Sequence, residues 1–268
     1  MAEGAYGGGR GILRRRTALD RFAIERRAPS PDLAAFADYL WILTWDLRDR
    51  EPHRQQVLTR PVVNLTFTTG GRARVAGVVR DVFGETIAGR GRVVGVCFRP
   101  GGFRPFLGGP VSGLTDRFTP VEEIFGPSAR AAADAIIAEP DRDRAAALAE
   151  DLLRSRAPDR PDPVIAEVAA IVDRIAADPA LLRVDDLAAA LGIGARRLQR
   201  IFAEYVGVGP KWVIRRHRMQ EAAERAAAGT GVDWATLAAE LGYADQSHFT
   251  RDFTRTLGIS PAQYARKC

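Results

Sequence analysis

The stretch LGYADQSHFTRDF, residues 241–253, decides how this chain reads. Phe249 and Phe253 stand at i and i+4, and Leu257 continues the same stripe, as on one face of a helix. Gln246, Ser247, His248 and Arg251 fall elsewhere on the wheel. Such an edge is either solvated surface or a contact edge. His248 sharpens the question, because the chain has only 3 histidines.

Working outward, an earlier stretch repeats this one. LAAALGIGARRLQRIFAEYVGVGP begins at Leu187 and LAAELGYADQSHFTRDFTRTLGISP begins at Leu237. Leu187, Leu191 and Gly192 recur as Leu237, Leu241 and Gly242. Arg200, Phe202, Gly207 and Pro210 recur as Arg251, Phe253, Gly258 and Pro261, at an offset one residue larger. One extra residue in the turn accounts for the change.

Each copy reads as helix, tight turn, helix. Asp185 and Asp233 suit the starts of the first helices, where a carboxylate satisfies free N–H groups. Gly192 and Gly242 suit the left-handed residue that ends them. Gly207-x-Gly-Pro and Gly258-x-Ser-Pro stop the second helices. In the first copy Leu198, Ile201, Phe202 and Tyr205 share one face, opposite Arg196 and Arg200, with Arg197 and Gln199 flanking. In the second, Ser247, Arg251 and Thr254 oppose Phe249, Phe253 and Leu257, with His248 and Thr250 flanking. The polar faces correspond position by position. KWVIRRHRMQEAAERAAAG between the copies can form one helix about 25 Å long at 1.5 Å per residue. Such a rod can hold two second helices roughly one DNA turn apart, about 34 Å. Trp212 and Trp234 read as packing anchors.

At these residues, from about 165 to 266, the sequence resembles the AraC-type transcriptional regulators. The resemblance rests on the two repeated strings, above all on G-Y followed by D-Q-S-H-F-x-R-x-F and G-x-S-P-x-x-Y. It implies that the second helix of each helix-turn-helix reads bases, through Arg196, Arg197, Gln199 and Arg200 and through Gln246, Ser247, His248 and Arg251. Arg suits guanine and Gln adenine, each bidentate pair giving about 1–3 kcal/mol of discrimination. Lys211, Arg215, Arg218, Thr250 and Arg255 are the candidate phosphate contacts, which position without reading sequence.

Residues 33–125 are β-rich. YLWILTWDL (39–47), VVNLTF (62–67), ARVAGVV (73–79), VFGETIA (82–88) and RVVGVCF (92–98) are β-branched or alternating runs between Gly, Pro and Arg breaks. Thr119, Pro120 and Glu122 suggest a helix start, with Thr119 as N-cap. Residues 128–156 read as two helices broken at Glu139–Pro140, and RAPDRPDP (156–163) as a linker. YLWILTW, PVVNLTF and the run from Val93 to Gly126 resemble one subgroup of the same regulators, which implies a small cupin-like effector or dimerisation domain. Trp41, Trp45, Arg60, Asn64, Arg99 and Arg104 are the candidates for an effector pocket, with β-domain core and surface as the other reading. Cys97 reads as a buried small hydrophobe.

The expected fold class is α+β in two domains: a β-rich N-terminal domain, either a small antiparallel sheet or a cupin-like barrel, with flanking helices, then an all-α C-terminal domain with two helix-turn-helix motifs. The divisions are a disordered arm over 1–18, a regulatory domain over 19–156, a linker over 157–163 and a DNA-binding domain over 164–268. Within the last, the first helix-turn-helix spans 184–206, the linker helix 210–228 and the second helix-turn-helix 233–257.

Composition bounds the function. A net charge of +6 and a pI of about 9.9 permit an anionic partner, though the bias to Arg over Lys weakens that signal. Cys97 and Cys268 make no disulfide framework, and no apolar run is long enough for a membrane. His53 is the only histidine before residue 217, so neither a metal nor a cofactor is expected. There is no P-loop, no G-x-S-x-G and no H-E-x-x-H, and GGGRG at 7–11 has no preceding strand. The expectation is a cytoplasmic, nucleoid-associated bacterial transcription factor on double-stranded DNA. RNA polymerase, a small-molecule effector and a second copy of the chain are open as further partners. The alternatives are a regulator whose N-terminal half only dimerises, and an enzyme or small-molecule-binding module tethered to DNA.

Overall fold

The computed structural model describes residues 11–13, 18–178, 181–228 and 232–268. Among these residues a β-rich N-terminal part is followed by helices without further strands. Among these residues eight strands form: β1 (Ala23–Arg27), β2 (Ala37–Leu47), β3 (His53–Val57), β4 (Asn64–Thr68), β5 (Arg72–Ala76), β6 (Phe83–Ile87), β7 (Gly89–Phe98) and β8 (Phe118–Pro120). Six make one antiparallel sheet in the order β1-β2-β7-β4-β5-β8, while β3 and β6 pair as a second, two-stranded sheet. Of the two expected forms, open sheet and barrel, the chain takes the open sheet. β1 and β8 remain as edges, and no ladder among the described residues joins the second sheet to the first.

Side chains alternate across a strand, so each strand supplies two different faces. On one face Leu40, Ile42, Leu65, Phe67, Val75, Val94, Val96 and Phe98 are buried. They form a single core with Ala129, Ala133 and Ile136 of α3 (Ala129–Ala138) and Ala145, Ala149 and Leu153 of α4 (Arg142–Arg154). Each large side chain removed from water there contributes about 1.5–3 kcal/mol. The two helices break at Glu139–Pro140, as the sequence suggests, and Asp141 caps α4 by accepting from the Arg144 amide. Short α1 (Arg104–Leu107) and α2 (Val121–Phe125) close one end of this core.

Two expectations need correction here. Thr119 is not an N-cap: it lies in β8 opposite Val75, and Pro120 occupies the cap position of α2. The β5 ladder holds the chain extended one residue longer than the turn chemistry suggests. Much of the expected disordered arm, including Arg14–Arg16, lies outside the described residues. Residues 11–13 and 18, however, are held. Ile12 bridges Val57, and Leu13 and Ala18 are buried.

The helical part comprises α5 (Pro163–Ala177), α6 (Val184–Leu191), α7 (Ala195–Ile201), α8 (Pro210–Ala228), α9 (Trp234–Glu240), α10 (Gln246–Leu257) and α11 (Pro261–Arg266). A π-helical turn, Phe202–Val206, continues α7 to Gly207. Gly192 and Gly242 both adopt the left-handed backbone expected of them, φ 65° and φ 68°, at the turns of the two helix-turn-helix units. The connecting helix α8 has 19 residues, hence a length of about 28 Å. Its N-terminal half gives Val213 and Ile214 to the core around Leu187, Leu198 and Phe202. Its C-terminal half gives Met219, Ala222 and Ala226 to the core around Leu237, Phe249 and Phe253. One rigid rod thus belongs to both units.

The sheet domain grips the helical part along α8 and the π-turn. Gln220 donates to the Leu58 carbonyl at 3.0 Å, and Arg216 donates to the Arg80 carbonyl. Thr115 Oγ1 donates to the Gly207 carbonyl at 2.6 Å, and Arg104 pairs with Glu204 at 2.6 Å. Leu13 and Leu58 enter the apolar cluster of the second unit. Arg216 is buried and stacked on Trp212, and its burial lowers its pKa to about 10.

Candidate nucleic-acid interface

In α7 the sequence alternates basic residues with core residues at helical spacing, and the fold separates them. Leu198 and Phe202 are fully buried, while Arg196, Arg197, Gln199 and Arg200 are all exposed. In α10 Phe249 and Phe253 are fully buried, and Gln246, Ser247, His248 and Arg251 are exposed. Asp245 caps α10, accepting from the His248 amide at 2.7 Å, so this exposed polar edge starts at a fixed helix end. His248 packs edge-on to Tyr243, with ring centroids 5.3 Å apart. Trp234 stacks on Phe249, a packing role, as does Trp212 within its own cluster.

Three of the candidate phosphate contacts come together with a fourth. Lys211, Arg215 and Arg218 on α8 and Arg255 on α10 surround one concavity, with Tyr243 and His248 on its wall. Thr250 and Arg251 lie outside it. Asp252 organises the cluster. It is buried and accepts from Tyr243 Oη at 2.9 Å, from Arg215 Nη2 at 2.6 Å and from Arg255 Nη2. Burial raises the Asp252 pKa, but the Tyr243 hydrogen bond and the Arg215 and Arg255 charges outweigh it and hold the carboxyl below its ordinary value. The Arg218 guanidinium lies over the Tyr243 ring at 4.4 Å, and desolvation pulls its pKa down. Four cations around one buried carboxylate leave a net positive, concave surface. Sequence reading missed Asp252 and Tyr243. The available signal was an acidic residue at a core-facing position beside Phe253, with Arg255 at i+3.

The second face of the large sheet builds a different site. Trp41 and Trp45 on β2 stand opposite Gly95 and Gly91 on β7. A Cβ at either glycine would lie 2.2 Å from the facing indole, so the rings occupy the space that side chains would fill. Between this surface and the β3–β6 sheet is a cavity of about 350 Å³. Trp41, Trp45 and Asn64 line it. Arg60, Arg99 and Arg104 do not. Arg60 pairs with Asp38 at 2.9 Å beside Tyr39 and Cys97, Arg99 donates to the Ala34 carbonyl, and Arg104 holds Glu204. Their place in the cavity is taken by Arg72, Arg74 and Glu85. Cys97 is buried, and burial raises its thiol pKa. Among the described residues no cluster of His, Cys, Asp and Glu suits a metal, and no helix is long and apolar enough to cross a membrane.

Fold and surface define a class: a β-sheet domain joined to paired helix-turn-helix units with basic outer faces. Residues 187–267 match the family described as a helix-turn-helix domain, and residues 25–120 match a domain of unknown function, DUF6597. The transcriptional activator NphR of Rhodococcus sp is 27% identical over 218 residues, which are 81% of this chain and 57% of that protein. The chain thus spans little more than half the length of that relative. Among solved structures, an AraC-type transcriptional regulator from Chromobacterium violaceum is 23% identical, covers 39% of this chain and 91% of its own, and has a TM-score of 0.34. ToxT from Vibrio cholerae O395 is 12% identical, covers 92% of this chain and 98% of its own, and has a TM-score of 0.39. Residues 187–267 of this chain are a helix-turn-helix domain.

Proposed function

We propose that this protein is a sequence-specific DNA-binding transcriptional regulator that acts by binding rather than by catalysis. Helices α7 and α10 enter successive major grooves. Arg196, Arg197, Gln199 and Arg200 read one half-site, and Gln246, Ser247, His248 and Arg251 read the other. Lys211, Arg215, Arg218 and Arg255 hold phosphate, and residues 164–268 form the DNA-binding unit. Residues 19–156 form the regulatory unit, with 157–163 between them, and the cavity against Trp41 and Trp45 takes a small-molecule effector. Contact with RNA polymerase and pairing with a second copy complete the proposed assembly.

The observation that carries the reading is the matched exposure of two equivalent polar helix faces on one rod. The cavity favours effector sensing over an N-terminal half that only dimerises. Binding-site selection with the full chain, followed by Arg200→Ala and Arg251→Ala, tests it. Each substitution should weaken binding by about 1–3 kcal/mol and relax the preference at one base position. If both leave the preferred site unchanged and alter only the salt dependence, these arginines hold phosphate and the base-reading assignment is wrong.

A further inference from the structure

The shape and charge of the sheet cavity restrict what it can hold. Gly91 and Gly95 let the Trp45 and Trp41 indoles lie over β7, which makes a broad apolar wall without projecting side chains. Phe83 of the β3–β6 sheet lies against Phe118, whose ring carries the Arg74 guanidinium at 4.5 Å. The charged groups of the lining are Arg72, Arg74 and Glu85, a net single positive charge. Glu85 engages one nitrogen of each arginine, Arg72 Nη2 at 3.1 Å and Arg74 Nη2 at 2.9 Å. The remaining N–H groups of each guanidinium donate to no other side chain or carbonyl among the described residues. Two such forks side by side, one held in orientation by an aromatic ring, match a further carboxylate. Asn64 and Thr68 add polar side chains with no partner among the described residues.

From this we infer that the cavity binds a flat aromatic monocarboxylate, with its ring against Trp41 and Trp45 and its carboxylate on Arg72 and Arg74. The inference rests on the effector-sensing reading above and names the chemistry of that site. Aromatic faces prefer offset or edge contacts with other rings, so a planar ligand gains from both indoles where a puckered one does not. A neutral ligand of the same shape leaves the spare arginine N–H groups without an anion.

Calorimetric titration of the full chain, without DNA, tests this with 2-naphthoate and trans-cinnamate. Controls are 2-naphthalenemethanol, cinnamyl alcohol and the saturated decahydro-2-naphthoate. Each aromatic acid should bind at least tenfold more tightly than its alcohol, and 2-naphthoate more tightly than its saturated counterpart. Arg74→Gln should bring acid affinity down to that of the alcohol and leave the alcohol unchanged, which also reports an intact cavity. Glu85→Gln should tighten the acids, because it removes the competing charge. Equal affinity for acid and alcohol, equal affinity for the saturated acid, or no binding by either aromatic acid each overturns the proposal. Because DNA is absent from the titration, these outcomes are separate from the fate of the DNA-binding reading, which the base-preference experiment decides.

Discussion

Replacing Asp252 by Asn should weaken DNA binding although it removes a negative charge from the basic concavity between α8 and α10. Asp252 is 7% exposed and satisfies three donors, on Tyr243, Arg215 and Arg255. An asparagine of the same size offers one acceptor oxygen and turns an N–H₂ group toward donors. The buried Tyr243 bond to a charged acceptor is worth about 1.5–3 kcal/mol. The Arg215 and Arg255 side chains are 45% and 68% exposed, so their ion pairs each contribute at most about 1 kcal/mol. The variant should therefore lose about 2–3 kcal/mol of stability in urea unfolding. Loss of the fixed arginine positions should cost about tenfold in affinity, or about 1.4 kcal/mol, in anisotropy titrations of the selected site.

The sign of that change decides between two accounts. A surface acting only through net charge gains affinity when an anion is removed, and its slope against log salt steepens by up to about 0.9 per added phosphate contact. Affinity equal to or tighter than wild type, with a steeper slope, would refute the positioning role of Asp252. The pH dependence gives a second check. The folded pKa of Asp252 is depressed, so its contribution is complete above the unfolded value of about 3.9 and is lost as pH falls through the folded value. Wild-type and Asp252→Asn stabilities should differ at neutral pH and converge in acid.

Further outcomes follow from the same geometry. Gly95→Ala places a methyl group where the Trp41 ring lies, so about 1–3 kcal/mol of stability should be lost by thermal or urea unfolding, along with ligand binding in the cavity. Gln220→Leu leaves the Leu58 carbonyl without its buried donor and should cost about 1–3 kcal/mol. Because Leu58 directly follows β3, that variant should also reduce any effect of a cavity ligand on DNA affinity; an unchanged ligand response would exclude this contact as the route. Phe253→Ala removes a fully buried ring from the core of the second unit and should cost about 3–5 kcal/mol in urea unfolding.

The helical half was open to reading because its physics is local. Helical spacing alone separates Phe249 and Phe253 from Ser247 and Arg251, and glycine at 192 and 242 supplies a left-handed backbone that few other residues adopt. The strands were less visible. Runs rich in Val, Ile and Thr announced β4 and β7, but AIERR in β1 and HRQQV in β3 carry charged and polar residues with little alternation. Their strand state comes from partners far along the chain: β1 pairs with β2, and β3 with β6.

What the sequence determined by itself is the duplication, the rod between its copies and the faces that each second helix buries or exposes. Only the tertiary structure decided which arginines share a site. Arg60, Arg99 and Arg104 looked suited to a pocket, yet each is spent on a neighbour, while Arg72 and Arg74 reach the cavity because β5 presents alternate residues to it. The same holds for Asp252, whose three donors come from the turn, from α8 and from its own helix. Spacing within one helix says which way a side chain points. What it meets there depends on elements that only folding brings near.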